Sequence, residues 1–118
     1  MTAAALAALH PAPPAKPAVG ARLGVLTIPR LHKRFAFYEG TSQRVLAKGP
    51  GHYIQTSLPG EPGTVAIAGH RVTHTHPFLR LNRIRLGDIL IVRTRHGTFR
   101  YRVNARRMIA DNSLPEVT

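Results

Sequence analysis

The sequence contains no cysteine and no tryptophan, and only five of its 118 residues are acidic. Without a thiol, no disulfide and no thiol chemistry can arise from these residues, and the usual argument from cysteine to redox compartment has nothing to act on. Four Phe and three Tyr are the only aromatics, so a core must rest on Val, Ile and Leu. Long apolar runs are also missing. The Ala-rich start, residues 1–9, is broken by His10 and Pro11, well short of the ~20 residues that span a bilayer. It lacks the basic leading region of a signal peptide. No transmembrane segment is expected in this chain and no export signal is visible, although a start site assigned too far downstream would look the same.

What is abundant is positive charge: seventeen Lys and Arg give a formal net charge of +12. Such an excess concentrates polyanions by long-range attraction. Nucleic acid, anionic phospholipid and anionic cell-wall polymer would all respond to it, and arginines on solvated strand faces also keep a protein soluble. Apolar residues make up 43%, with ten Gly and ten Pro, a balance that suits a strand-and-turn globule better than a helical bundle or a disordered chain. The length allows one domain and a tail.

Residues 1–20 carry Pro11, Pro13, Pro14 and Pro17 among many alanines, which predicts a flexible Ala/Pro-rich N-terminal segment. The domain is expected over 21–118. Residues 22–28 form a β-branched and Leu-containing run that Pro29 closes, because proline cannot donate into a continuing ladder. Residues 35–38 read as a second strand. Thr41 is placed to cap one or two helical turns over 42–48, with Gly49 as a left-handed stop. The Gly- and Pro-rich stretches 49–53 and 58–63 read as loops, and 64–68 as a strand buried on both faces. Pro77 fits the first position of a short helix through Phe78, Leu79 and Leu81. Residues 89–94 and 98–104, joined by His96-Gly97, predict a hairpin whose Phe99, Tyr101 and Val103 face inward while Arg100 and Arg102 face water. No closing strand signal follows Arg107, and the sheet reads as unfinished at Thr118.

Several short motifs stand in a fixed order: Ile28-Pro29, Tyr38-Glu39-Gly40-Thr41, Gly49-Pro50-Gly51-His52-Tyr53, Leu58-Pro59-Gly60, Thr64-Val-Ala-Ile-Ala-Gly-His70-Arg71, Pro77-Phe78-Leu79-Arg80-Leu81, Leu86-Gly87-Asp88 and Tyr101-Arg102-Val103. In that order they resemble the sortases, most closely the class E type of high-GC Gram-positive bacteria, over roughly residues 22–110. The resemblance implies a mostly β fold, an incomplete sortase-type β-barrel with one or two short helices. It also implies an extracytoplasmic, cell-surface cysteine transpeptidase without a cofactor. Such an enzyme cleaves a sorting-signal peptide of the Leu-Pro-x-Thr-Gly or Leu-Ala-x-Thr-Gly kind and joins it to a peptidoglycan amine.

By the same resemblance His70 is the catalytic histidine. The family's nucleophilic cysteine, on a Thr-Leu-Thr-Thr-Cys-like strand, and its arginine on the next strand correspond to positions beyond Thr118. A lone histidine at a strand end is ordinarily a polar surface or capping residue; the Ala-Gly-His-Arg context is what singles out His70. Arg71, His52 and Tyr53 are read as structural. Ser57 and Ser113 have no partner base at a telling spacing, so the chain as given is expected to be catalytically silent. His70, His74 and His76 match no firm metal motif, and no metal is expected. The Leu114-Pro115 stretch near the end only superficially echoes a sorting signal.

A second reading is a non-catalytic basic module that holds cell-wall polymer. A third is completion of the sheet by a separate C-terminal complementing chain, since unpaired strand edges invite pairing. Nucleic-acid binding is not expected, because no helix-turn-helix, zinc site or aromatic RNA-binding signature accompanies the charge.

Overall fold

The computed structural model describes residues 16–70 and 78–106. Among these residues six strands make one sheet: β1 (Arg22–Ile28), β2 (Lys33–Glu39), β3 (Gly51–His52), β4 (Ile67–Ala68), β5 (Ile89–Thr94) and β6 (Gly97–Arg102). Their spatial order is β4-β3-β2-β1-β5-β6. Among the described residues helix is confined to one turn, α1 (Gln43–Leu46), and two 3-10 turns at Pro29–Leu31 and Leu81–Arg83. The mostly β architecture with few short helices is the one expected.

Period-2 burial organises the central strands. Leu26 and Ile28 of β1, Phe37 of β2 and Val92 of β5 point into the core, where Ile84 joins them. Phe35, Phe78, Leu90, Tyr101 and Val103 pack around that nucleus half-buried. In β6, Phe99 and Tyr101 are half-buried and Arg100 and Arg102 exposed, the alternation expected of the hairpin. The hairpin register runs from Ile89 opposite Arg102 to Thr94 opposite Gly97. At the far side of the sheet the loop after β3 reaches across to it: the Gly60 N–H donates to the Tyr101 hydroxyl at 3.3 Å, and a Cβ on Gly60 would stand 2.5 Å from the Phe99 ring. The sheet is therefore curled into a half-barrel rather than flat.

Several local expectations are corrected. β2 is longer than 35–38 because β1 pairs with it from Ile28–Lys33 up to Arg22–Tyr38. The cap of α1 is Ser42, whose hydroxyl accepts from the Val45 N–H at 3.3 Å, and not Thr41. Gly49 is not a left-handed stop, since it is absent from the positive-φ residues; it is needed because a Cβ would sit 2.9 Å from the Ala36 carbonyl oxygen. The 49–53 stretch contains a strand, β3, parallel to β2. The 64–68 run forms only the two-residue β4, half-buried, since β3 offers it just two partners. Phe78 begins a turn, and helical geometry is limited to the 3-10 turn at Leu81–Arg83. Pro77 lies outside the described residues, as do residues 1–15. Within 16–20, the Gly20 N–H donates to the Glu39 carbonyl at 2.7 Å and so binds the chain to the end of β2.

Close backbone approach makes Gly51 a sensitive position: a Cβ there would lie 2.0 Å from the Gly40 carbonyl oxygen. Backbone cannot swing aside as a side chain can, so Gly51→Ala should lower unfolding stability by about 3 kcal/mol. Urea denaturation reads this as a lower midpoint at an unchanged slope.

The 3-10 turn after β1 is anchored by charge. Arg30 donates through Nε and Nη2 to Asp88, at 2.9 and 2.7 Å. Together with the Arg85 backbone N–H at 2.9 Å, this pulls the Asp88 carboxyl down to about 2, the Arg30 bond being the larger cause. A depressed carboxylate adds stability that is present above its unfolded value, about 3.9, and lost as pH falls through its folded value. Asp88→Asn should therefore flatten the acid limb of the stability curve between about pH 4 and about pH 2, read by thermal melts across that window.

Candidate functional site

Two features of chemical interest emerge, and both involve the short strands at one side of the sheet. The first follows from alternation in β2. Phe35, Phe37 and Glu39 share one face, so Glu39 points where the phenylalanines point, and it is only 4% exposed. A carboxylate buried this far needs a partner. The parallel register of β2 and β3 supplies one by setting His52 opposite Glu39.

His52 is fully buried. Its Nδ1 lies 2.5 Å from Glu39 Oε1, and its Nε2 lies 2.7 Å from the Ser57 carbonyl oxygen and 3.0 Å from Thr56 Oγ1. A carbonyl oxygen only accepts, so Nε2 carries a hydrogen. The Nδ1–Oε1 contact is a second hydrogen bond, which joins the imidazole to the carboxyl group. The Thr56 hydroxyl donates to the Tyr53 carbonyl at 2.8 Å and accepts from the Ala66 N–H at 3.3 Å. One buried imidazole thus ties β2, β3, the following loop and the approach to β4 into a single unit.

This unit lies under a groove of about 1060 Å³. Its lining includes Arg22, Glu39, His52, Ser57, Leu58 and Phe99. Both ring nitrogens of His52 have partners inside the fold. The Ser57 hydroxyl donates to the Pro62 carbonyl at 2.7 Å. Glu39 and its pairing with His52 were missed in the sequence. The signal was available, since Phe35-Ala36-Phe37-Tyr38-Glu39 alternates and puts an acid on the core face.

The second feature is His70. β4 pairs antiparallel with β3, Gly51 with Ala68 and His52 with Ile67, and among the described residues it is the last strand on its side of the sheet. His70 follows it after Gly69 and is half-buried. Its carbonyl accepts from the Phe78 N–H at 3.1 Å. A Cβ on Gly69 would stand 2.7 Å from the Phe78 ring; glycine is what allows that ring to close over the backbone just before the histidine. The histidine is thus delivered at the end of a strand whose outer edge carries no strand among the described residues. It does not line the groove above His52, so the two imidazoles serve separate places. Arg71, His74 and His76 lie outside the described residues, as does Ser113. Among the described residues no cluster of His, Cys, Asp or Glu is suited to a metal ion, and no helix is long and apolar enough to cross a membrane.

Comparison with known proteins bears directly on this arrangement. The family model described as the sortase domain matches residues 26–117. Sortase D of Bacillus subtilis is 31% identical over 103 residues, covering 87% of this chain and 50% of its own length. The structure of the SrtF sortase from Corynebacterium diphtheriae superposes with a TM-score of 0.72 at 39% identity, over 88% of this chain and 50% of that one. Sortase E1 from Streptomyces coelicolor, solved with a tripeptide in its active site, gives a TM-score of 0.65 at 32% identity over 70% of this chain and 56% of that one. The chain spans about half the length of these relatives.

Proposed function

The chain belongs to the sortase family, and on that premise we propose that it supplies the histidine-bearing half of a cysteine transpeptidase site acting on sorting-signal peptides at the cell surface. The observation that carries the reading is the placement of His70, half-buried, directly after the edge strand β4. A further strand paired to that edge would bring its side chains beside the imidazole.

The chemistry divides among three groups. A thiolate attacks the scissile carbonyl of a Leu-Pro-x-Thr-Gly-like or Leu-Ala-x-Thr-Gly-like peptide and forms a thioacyl bond. The imidazole of His70 gives its proton to the departing amine, then takes one from the incoming peptidoglycan amine as that amine displaces the sulfur. A cation or amide donors hold the negative oxygen during both additions. Of these three, the 118 residues contain the proton-transfer group and no cysteine. The chain by itself is therefore silent, and a segment bearing cysteine and arginine strands is required to complete the site. In support of a peptide substrate, the tripeptide in the S. coelicolor relative occupies that protein's active site.

A second reading, that the chain is a basic module without catalysis or a partner for a complementing chain, draws on the open β4 edge and the +12 charge. The test is incubation of the purified chain with fluorogenic Leu-Pro-x-Thr-Gly and Leu-Ala-x-Thr-Gly peptides. No release above buffer is expected. Release that disappears in His70→Ala would overturn the division of labour described above.

A further inference from the structure

The five acidic residues of the chain are too few for its seventeen bases, and the three among the described residues are already engaged. Glu39 is paired with His52, Asp88 grips Arg30, and Glu61 accepts from the Leu58 N–H at 2.7 Å. The remaining cations have no carboxylate partner among the described residues, and they are not evenly spread. Arg30, Arg80, Arg83, Arg85 and Arg106 converge on one cleft of about 440 Å³ that no acidic side chain lines. Arg30 is turned to Asp88, and Arg106 is held by its Nη2 donating to the Asn82 carbonyl at 2.8 Å. That anchoring leaves the Arg106 charge uncompensated. Arg80 and Arg83 make no ion pair within the described fold, and the Arg85 charge acts on Asp88 without a direct side-chain bond to it.

The same stretch exposes apolar side chains. Of the five large hydrophobics that face water among the described residues, Val19, Ile54, Leu79, Leu81 and Leu86, three belong to residues 79–86. Leu86 is 65% exposed and Leu79 and Leu81 are each 40% exposed. Arginines and leucines are therefore interspersed along one short segment, which is held by the core residue Ile84 within it and by the Asp88 turn that follows it.

These two properties select between partners. Guanidinium groups are weakly hydrated forks that match phosphate oxygens, which any phosphate-bearing polymer would satisfy. Exposed leucines gain nothing from a soluble polyanion, whereas an anionic lipid surface takes both, phosphates at the headgroup level and leucines at the acyl boundary.

We propose that residues 79–86 and the arginine cleft beside them form a docking site for an anionic phospholipid surface, with headgroup phosphates in the cleft and the leucines set into the interface. This site is separate from His70 and does not depend on the catalytic reading.

The test is co-sedimentation of the full chain with vesicles of phosphatidylglycerol mixed with phosphatidylcholine, and with vesicles of phosphatidylcholine alone. Partitioning is expected to require phosphatidylglycerol. Arg80→Gln with Arg83→Gln should weaken it about 30-fold, from roughly fivefold for each cation near such a surface. Leu79→Ser with Leu86→Ser leaves the charge unchanged and should weaken it about tenfold. All four positions are exposed, and an unchanged circular dichroism spectrum and melting midpoint show that each variant is folded. Equal binding to both vesicle types, no vesicle binding, or binding that ignores either pair of substitutions would overturn the proposal. So would binding confined to soluble poly(glycerol phosphate), which would make the cleft a site for a soluble polymer.

Discussion

Replacing His52 by alanine should lower the unfolding free energy by about 3–5 kcal/mol. The loss has two sources. Glu39 would be left on the core face of β2, 4% exposed, with no cation or donor in place of the imidazole, and a buried carboxylate without a partner costs several kcal/mol. The Ser57 carbonyl and the Thr56 hydroxyl would lose Nε2 as well, which loosens the loop forming one wall of the groove. Glu39→Gln keeps an oxygen for Nδ1–H to bond and should cost less, about 1–2 kcal/mol. Because the two side chains bond each other inside the fold, Glu39→Ala combined with His52→Ala should cost less than the sum of the single losses by about 2 kcal/mol. Urea midpoints of the four proteins close that cycle. Strict additivity would show that the pair does not act as a unit.

The parts of this fold visible in the sequence are those with enough residues to show a period. β1, ended by Pro29, and the β5–β6 hairpin could be read because Leu26 and Ile28 share one face and Phe99 and Tyr101 alternate with arginines. β3 could not, since two residues display no alternation and its pairing is a parallel contact with β2 across the intervening helix; β4 reads as a strand over 64–68 in the sequence, but only Ile67 and Ala68 find partners, because β3 is just as short. The same gap hid the Glu39–His52 pair. Alternation put Glu39 inside, but only the β2–β3 register identifies which base meets it. Gly49 illustrates a different limit, because a glycine after a short helix looks like a cap while its real constraint is the Ala36 carbonyl of another strand.

His70 is different again. Nothing in its local periodicity marks it as reactive; it was singled out by its Ala-Gly-His-Arg context and by resemblance to the sortases. The structure adds its position after an edge strand, half-buried, behind a glycine that lets Phe78 pack close.

The second large effect concerns this residue once the site is complete. With the cysteine- and arginine-bearing C-terminal strands of a sortase relative joined in frame after the hairpin, His70→Ala should reduce peptide turnover by about 10³-fold or more. Proton transfer to the leaving amine is worth about 10²–10⁴-fold by itself, and a nucleophile and its proton-transfer partner act as one unit. His52→Ala in the same protein should act through stability instead. Its turnover per folded molecule should fall far less, because both ring nitrogens of His52 are bonded within the fold.

The measurement closest to the central claim is therefore the rate of release from a fluorogenic sorting-signal peptide by the joined protein, with and without His70→Ala, at matched folded fraction. Turnover that collapses in the variant is the predicted result. Equal turnover in the two proteins would contradict the assignment of His70 as the proton-transfer group.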